Sequence, residues 1–397
     1  MKNLKIATGV LVAMLALIYN LKAQDETYTD FSAEVNADYR GFFNEGLYSG
    51  QKQSYLSLAV KPEFVHEWKD GKHIFKTVLF GRLDQHDSRR THFDIRELYW
   101  QTAQGDWELS VGLKKVFWGV TESAHLVDII NQADVVESFD GEEKLGQPMV
   151  HYSRLTRIGT FDLFVLPYFR KQVFPGTKGR LRTPFVLNDS FFEFESSAEE
   201  YRPDVAARYS HYFGVFDVGV SYFNGTGRDP IVADLETFQA IYGVISQVGI
   251  DVQATTGPLL WKVEAIDRRN DVQDMRAFVG GLEYTFGNIA NRGLDIGIIG
   301  EYLYDDRDEL ALNSLQNDLF IGSRIAFNDV QDTEILVGGI FDLEHSTKLF
   351  SVEANRRFGE TWDIEAEGRF FTSVSDKEFV SVFRSDDFFR LSVSKYF

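Results

Sequence analysis

Residues 31–41 read Phe31-Ser-Ala-Glu-Val-Asn-Ala-Asp-Tyr-Arg-Gly41, and they alternate in polarity at every position. Odd-numbered positions carry apolar or small side chains, whereas even-numbered positions carry polar or charged side chains. Successive side chains of a β-strand point to opposite faces, so this period of two predicts a strand with one apolar and one polar face. The same alternation recurs at residues 107–114, 216–222, 278–286 and 362–370.

Eighteen segments of the chain fit this strand pattern, although a count of sixteen is also compatible with it. The segments are 29–43, 53–66, 73–85, 92–103, 106–115, 147–156, 160–169, 203–212, 215–224, 242–255, 259–268, 275–286, 294–304, 317–327, 333–343, 348–358, 362–373 and 385–397. Short turns such as Asp70-Gly71 alternate with longer connections such as 116–147 and 170–203, and aromatic residues gather at the strand ends. Both features are typical of a transmembrane antiparallel β-barrel with short periplasmic turns and long extracellular loops.

Composition narrows the class of protein further. The chain has 397 residues and a formal net charge of -19. It has no cysteine, and the absence of cysteine excludes a disulfide framework and thiolate metal sites. The acidic balance argues against nucleic acid as a partner, because binding phosphates requires an excess of Lys and Arg. Beyond the N-terminus, no apolar stretch is long enough to cross a membrane as a helix.

The N-terminal segment has the pattern of a secretory signal. Lys2 and Lys5 precede an apolar stretch from Ile6 to Ile18, and Ala23 offers a small residue for cleavage. An uncleaved anchor helix is the alternative interpretation. We expect residues 1–23 to be a signal peptide and 24–397 to be a single transmembrane β-barrel domain, with no separate plug domain before Phe31.

These features together allow a resemblance to be named. The signal segment, the alternation and the terminal Phe397 resemble Gram-negative outer-membrane β-barrel proteins of porin type. The resemblance implies an outer-membrane location and an assembly signal formed by Phe389, Leu391, Val393 and Phe397, with Lys395 departing from the usual apolar residue. It implies as partners outer-membrane lipid and lipopolysaccharide, the assembly machinery, small solutes, and an oligomer or envelope complex.

Segment 116–147 carries most of the information about function. Residues 119–145 hold seven acids against Lys144, whereas residues 154–182 hold seven bases against Asp162. Either these are two solvated loop surfaces, or the first loop enters the lumen and its acids face bases across a constriction. We also expect a helix here, capped by Thr121 or Ser123, because Leu126, Ile129, Ile130 and Ala133 have helical spacing. The candidate lumen residues are Asp128, Asp134, Glu137, Arg154, Arg180 and Arg182, with Arg40, Arg82, Arg208 and Arg324 on the wall.

The resemblance implies a channel for small hydrophilic or charged solutes, constricted by loop 116–147. The alternative is a barrel plugged by its own loops, acting as a structural or binding subunit of an outer-membrane complex. No residue spacing selects a catalytic triad, so we expect neither an enzyme nor a cofactor. A metal site at His125, Asp128 and Asn131 is disfavoured because two of these residues are poor zinc ligands. Whether Asp305, Asp306, Asp308 and Glu309 bind a cation stays open.

Overall fold

The computed structural model of the chain describes residues 27–187, 191–234, 239–307 and 315–397. The predicted signal peptide, residues 1–23, lies outside the described residues. The strands are β1 (Tyr28–Phe42), β2 (Ser54–Trp68), β3 (His73–Asp84), β4 (His92–Gln104), β5 (Trp107–Lys114), β6 (Gln147–Thr156), β7 (Gly159–Leu166), β8 (Phe192–Phe194), β9 (Asp204–Phe213), β10 (Phe216–Thr226), β11 (Ile231–Asp234), β12 (Gln239–Tyr242), β13 (Val244–Thr256), β14 (Leu259–Arg269), β15 (Met275–Ile289), β16 (Leu294–Asp305), β17 (Asn317–Ala326), β18 (Glu334–Asp342), β19 (Lys348–Phe358), β20 (Trp362–Thr372) and β21 (Phe388–Tyr396).

Within the described residues, eighteen of these strands form one closed antiparallel barrel. Strand β1 pairs with β2 on one side and with β21 on the other, so the first and last strands shut the ring. The seam register runs from Phe42 opposite Phe388 to Glu34 opposite Tyr396. The predicted fold class and the count of eighteen strands are therefore confirmed.

The alternation in sequence becomes an inner and an outer face. On β2, Leu56, Leu58 and Val60 are largely exposed on the outside, whereas the side chains between them point inward and are buried. This arrangement repeats around the ring, and the outer face is an apolar band of the kind that lies against lipid. A closed barrel satisfies every backbone hydrogen bond within the sheet, which lipid requires.

The two ends of the barrel differ. One end has tight turns such as 105–106 and 214–215, where Gly105 and Gly214 have positive φ angles that suit two-residue hairpins. The other end carries the longer segments 115–146, 167–203 and 227–243. A small second sheet forms at this end, in which β12 pairs with β8 and with β11. Among the described residues, no helix is both long and apolar enough to cross a bilayer.

The prediction of a helix in segment 116–147 is wrong. The segment is irregular from end to end, with one isolated bridge between Ala133 and Lys144. Several backbone N–H groups of its first arm, including those of Val120 and Glu122, instead bind carboxylates of the barrel wall and are therefore not available for a helical ladder.

Candidate functional site in the barrel lumen

We call residues 115–146, which connect β5 to β6, the lumen loop. Its first arm reaches Glu264, an inward-facing and fully buried residue of β14. Oxygen Oε1 of Glu264 accepts hydrogen bonds from the backbone N–H of Val120 at 2.7 Å, from that of Thr121 at 3.1 Å, and from the Thr121 hydroxyl at 2.8 Å. Oxygen Oε2 accepts one from the Val127 N–H at 3.2 Å. The wall carboxylate thus organises the loop backbone around itself.

A second wall carboxylate binds the same arm two strands further around the barrel. Glu301 of β16 accepts hydrogen bonds from the backbone N–H of Glu122 at 2.9 Å and from that of Ser123 at 2.8 Å. The Ser123 hydroxyl donates to it as well, at 2.5 Å. Charge-assisted bonds of this kind are stronger than those between neutral partners. Two carboxylates together fix the tip of the loop against β14 and β16.

The side chain of Glu122 completes this contact with an ion pair. Arg324 of β17 donates to Glu122 at 2.7 Å and to Glu334 of β18 at 2.6 Å. Lys262 lies 3.4 Å from Glu122 as well. Arg324 points inward, as its strand parity predicts, and it joins the loop to the wall.

The second arm of the lumen loop binds the opposite side of the barrel. Asp134 forms a buried ion pair with Arg96 of β4, with a nitrogen–oxygen distance of 2.6 Å. Arg96 has no cross-strand partner, because the register between β3 and β4 shifts there and leaves Arg96 as the extra residue of a β-bulge. The bulge directs an additional side chain into the lumen.

Glu137 is held by two arginines of the same side. Arg82 of β3 lies 2.8 Å from its carboxylate, and Arg40 of β1 donates to its backbone carbonyl at 2.6 Å. Behind them, buried Asp38 accepts hydrogen bonds from Arg90 at 3.1 Å and from Arg390 at 2.5 Å. The loop is therefore bound to wall residues on both sides of the lumen.

Apolar side chains of the loop fill much of the space between the two walls. The Trp118 cluster joins four loop residues to inward side chains of β6 to β15, and its members are Trp118, Val127, Ile129, Ile130, Met149, Phe164, Leu166, Ala206, Phe223, Ile245, Ile266, Met275 and Ala277. The Leu303 cluster packs against Ala124 and Leu126 of the loop, and its members are Val279, Ile299, Leu303 and Phe320. The wall members of both clusters lie between the middle of the barrel and the long-loop end.

A third cluster lies at the mouth above β20, β21, β1 and β2. The members of this Phe383 cluster are Phe42, Tyr55, Leu181, Phe371, Val380, Phe383 and Phe388, with Phe139 of the lumen loop packed against them. Toward the short turns the inner wall is different: the carboxylates of Glu353 and Glu365 are 44% and 53% exposed. Near the long loops the lumen is thus filled by side chains of the loops and the wall, whereas these inward carboxylates toward the short turns are exposed.

The other predicted lumen residues form separate contacts, although Arg208 also lies 5.2 Å from the ring centre of Trp118 in the lumen loop. Asp128 pairs with Lys144 of its own loop at 3.2 Å, and Arg208 pairs with Asp251 across the wall at 2.7 Å. Arg180 binds Asp386 at 2.6 Å in the mouth, and Arg182 donates to nearby backbone carbonyls, including that of Thr183 at 2.8 Å. Arg154 lies on the outward-facing side of β6 at the short-turn end, opposite Trp107, where it pairs with Asp106 at 2.9 Å.

Sequence reasoning missed the wall carboxylates Glu264 and Glu301 as well as Arg96 and Glu122. Strand parity marks both glutamates as inward, so their burial could have been foreseen. Their partners could not, because these are backbone N–H groups of a distant loop. Glu122 is one of the seven acids of residues 119–145, but nothing in its spacing distinguishes it from its neighbours.

The three residues of the disfavoured metal site, His125, Asp128 and Asn131, bind different partners. His125 lies 3.3 Å from Glu142, whereas Asn131 donates to the backbone carbonyl of Lys114 at 2.9 Å. Burial alone would lower the pKa of His125, but the carboxylates of Glu142 and Glu264 raise it to about 10. His125 is therefore a protonated partner of carboxylates. In the part of the chain that the structure describes, no group of His, Asp or Glu has the arrangement of a metal site.

The acidic segment 305–309 is described only in part. Asp305 is bound by Arg307 at 2.6 Å, and Asp306 accepts the backbone N–H of Arg276 at 2.7 Å. Asp308 and Glu309 lie outside the described residues.

The predicted assembly residues lie along the seam of the barrel. Phe389 and Leu391 are exposed on the outer face, with Val393 in line with them, and Phe397 is 71% exposed. Lys395, which departs from the pattern, lies 4.8 Å from the ring of Trp362 and 5.8 Å from that of Phe397. Contacts between an ammonium group and aromatic faces allow a lysine to lie beside the aromatic residues of the outer face.

The closed eighteen-stranded ring, its apolar outer band and its inserted loop define the class: the chain has the fold of a Gram-negative outer-membrane β-barrel of porin type. No protein-family model and no curated protein sequence matches the chain. Among solved structures, a BenF-like porin from Pseudomonas fluorescens Pf-5 matches with a TM-score of 0.56 and 9% identity, over 94% of this chain and 98% of the porin. OccK5 of Pseudomonas aeruginosa matches with a TM-score of 0.54 and 11% identity, over 93% of this chain and 97% of OccK5.

A third solved structure belongs to a protein with a different role. Wzi, an outer-membrane protein involved in group 1 capsule assembly in Escherichia coli, is described as a carbohydrate-binding β-barrel. It matches with a TM-score of 0.52 and 11% identity, over 97% of this chain and 87% of Wzi. At these identities the comparisons show the fold alone.

Proposed function

We propose that this chain is an outer-membrane channel for small hydrophilic or charged solutes, with a charged lumen that the lumen loop constricts. The observation that supports the proposal most directly is that both arms of the loop form ion pairs with inward wall residues, Glu122 with Arg324 and Asp134 with Arg96. Paired charges held in a narrow lumen act on passing ions more strongly than the same charges in bulk water. The porin structures described above have the same fold.

The passage that we propose follows the sector of wall formed by β18 to β21. Apolar clusters occupy the loop half of the lumen beside β6 to β17, but inward charges dominate the wall of this sector. Arg369 binds Glu353 at 2.7 Å and also binds Asp140 of the lumen loop, and Arg390 lies 3.6 Å from Glu365. Hydrated solutes favour a polar path over an apolar one.

The rest of the proposal concerns export and partners. Residues 1–23 act as the signal peptide, and 24–397 act as the barrel domain. Its partners are then the lipid and lipopolysaccharide around the barrel, the outer-membrane assembly machinery, small solutes, and an oligomer or envelope complex. We assign the chain no catalysis and no cofactor.

Planar-bilayer recording of the purified chain tests the channel. First, the sample must be a folded barrel: a far-UV spectrum dominated by strand, and a gel band that shifts on heating. We then expect discrete conductance steps, and larger steps when residues 120–140 are replaced by a short Gly-Ser linker. A folded wild-type barrel that never conducts, while the loop-replaced variant does, would contradict an open channel.

That contradicting outcome would support a second candidate, a barrel plugged by its own loops that acts as a structural or binding subunit. The specific observation in its favour is that the three apolar clusters fill the lumen near the long loops. Wzi, which is involved in capsule assembly, has the same overall fold.

A further inference from the structure

Three carboxylates from three segments meet at the mouth of the barrel, above β17 and β18. Asp318 and Asp342 are directly opposite each other across these strands, on the inward face. Glu378, in the segment 373–387 that connects β20 to β21, binds the side chain of Thr347, and the backbone carbonyl of Thr347 accepts the Asp342 N–H at 3.1 Å. Asp318 and Glu378 are 1% and 3% exposed. Like charges directly opposite each other destabilise a sheet, and burial makes the repulsion stronger.

The hydrogen bonds of this group leave part of it unsatisfied. The hydroxyl of Thr347 donates to Oε2 of Glu378, but the buried Oε1 of Glu378 has no hydrogen-bond partner. Asp342 uses Oδ1 to accept the backbone N–H groups of Glu344, at 2.6 Å, and of His345. A proton between Glu378 and Asp342 would satisfy the remaining oxygens and remove one negative charge.

Segment 373–387 is joined to this group of carboxylates by further hydrogen bonds, and at its far end Asp386 binds Arg180 at 2.6 Å. The Ser375 N–H donates to the Thr347 hydroxyl at 2.9 Å, and the Ser346 hydroxyl donates to the Ser373 carbonyl at 2.7 Å. The same segment contributes Val380 and Phe383 to the Phe383 cluster, which covers the mouth above the proposed passage. The position of Glu378 therefore affects the apolar cover of that passage.

We propose that a proton shared by Glu378 and Asp342 holds segment 373–387 down over the barrel mouth, and that loss of this proton as the pH rises releases the segment. The consequence for passage rests on the proposed channel function: the mouth is closed at acidic pH and opens as the pH rises. The other charged groups around the pair are Asp318 on β17, Glu344 and His345 before β19, and Lys377 on the segment itself.

Titration of the glutamate agrees with this geometry. Burial, together with the neighbouring Asp342 carboxylate, raises the pKa of Glu378 to about 7. Because the folded protein holds this proton more tightly than the unfolded chain does, the stabilising contact is fully present at acidic pH. It weakens as the pH rises toward 7, and above 7 the ionised pair favours the released segment.

The chain contains no cysteine, so a single spin label at Ser381→Cys reports on the segment alone. We expect an immobilised label at pH 5.5 and a mobile one at pH 8.5, with a midpoint below the raised pKa of Glu378 and no further change above that pKa. Below the midpoint, the ratio of mobile to immobilised label should rise about tenfold per pH unit, as loss of one proton requires. In Glu378→Gln, whose amide donates to Asp342 at any pH, the label should stay immobilised throughout. The control Asp376→Asn removes an exposed carboxylate of the same segment and should behave like the wild type.

The proposal would be overturned by a wild-type line shape that does not change with pH, or by a pH response that persists in Glu378→Gln. Immobilisation at pH 8.5 by added Ca²⁺ alone would also overturn it, because the carboxylates would then hold a metal ion instead of a proton. The label reports the position of the segment and not ion flow. A plugged barrel that never conducts would still show the change, so failure here is distinguishable from failure of the channel function.

Discussion

Arg324 Nη2 lies 2.7 Å from Glu122 Oε2, although the two residues are 202 positions apart in the chain. The contact joins the tip of the lumen loop to a strand across the barrel from the loop's own ends. Arg324 also binds Glu334 of the wall at 2.6 Å. Glu122 can therefore be changed as the test residue, with Glu334 as the matched control.

Glu122→Gln should loosen the tip of the loop and make the lumen more favourable to anions. It removes one negative charge and an ion pair worth about 1 kcal/mol for partly exposed partners. The measurement is the reversal potential in a salt gradient, together with current noise. Glu334→Gln also removes one negative charge that pairs with Arg324, but it leaves the loop attached. We therefore expect a shift in ion selectivity without an increase in current noise. Equal noise in both variants would show that the pair does not fix the loop.

Glu264→Gln should release the first arm of the loop more completely. The amide group of glutamine places a donor where one carboxylate oxygen accepts N–H groups, and each unsatisfied buried group costs about 1–3 kcal/mol. We expect the variant to unfold at a lower denaturant concentration than the wild type, measured by the disappearance of the folded-barrel band on an unheated gel. Glu63→Gln, which changes a partly exposed carboxylate of the same inner wall, should leave the midpoint unchanged. A wild-type midpoint in Glu264→Gln would argue against the anchoring role.

Neutralising Asp134 and Glu137 together should shift ion selectivity toward anions. The sequence alone suggests little cost in stability, but the structure shows both acids buried against Arg96 and Arg82. Removing one partner of a buried pair costs about 3–5 kcal/mol, so we expect the second arm to detach as well. Reversal potentials and protease cleavage of the loop measure the two effects. The control is Asp106→Asn, in an exposed pair at the short turns, which should change neither.

Deleting Phe397 should impair outer-membrane assembly. Its backbone N–H donates to Ala33 at 3.0 Å and its carbonyl accepts the Ala33 N–H at 3.3 Å, so the deletion shortens the seam as well as removing the ring. Phe397→Ala keeps the backbone bonds and removes only the ring. If the ring is the assembly signal that the resemblance implies, both variants should show reduced heat-modifiable protein in the outer membrane. A normal level in Phe397→Ala would place the effect in the seam bonds instead.

The strands were predictable because an apolar outer band forces a strict alternation on every one of them. Even Arg324, in an otherwise apolar stretch, could be assigned to the inner face, since an arginine facing lipid at midplane costs about 2–4 kcal/mol. The alternation along a strand predicts which side chains point inward, but it does not predict which groups they bind. Arg96 owes its position to a bulge, and Arg154 falls on the outer face at a strand end, where the cost of exposure is small.

The lumen loop shows where sequence patterns stop being informative. Leu126, Ile129 and Ile130 have helical spacing, but they are apolar because they face a filled lumen, with the last two buried in the Trp118 cluster. A helix also needs its N–H groups for its own ladder, whereas here Glu264 and Glu301 take several of them. The periodicity of apolar residues indicates which side chains of a segment are buried. It contains no information about hydrogen-bond acceptors on strands more than a hundred residues away.

Strands β14, β16 and β17 anchor the lumen loop, and this has a consequence for the order in which the loop and the strands fold. The loop is synthesised long before the strands that bind it, and contacts so distant in sequence form late because closing long stretches of chain is entropically costly. Until the hairpins carrying Glu264 and Glu301 arrive, the loop has to stay hydrated on the side that will become the interior. Joining β1 to β21 encloses the docked loop, so we expect its docking and the sealing of the barrel to occur together late in folding.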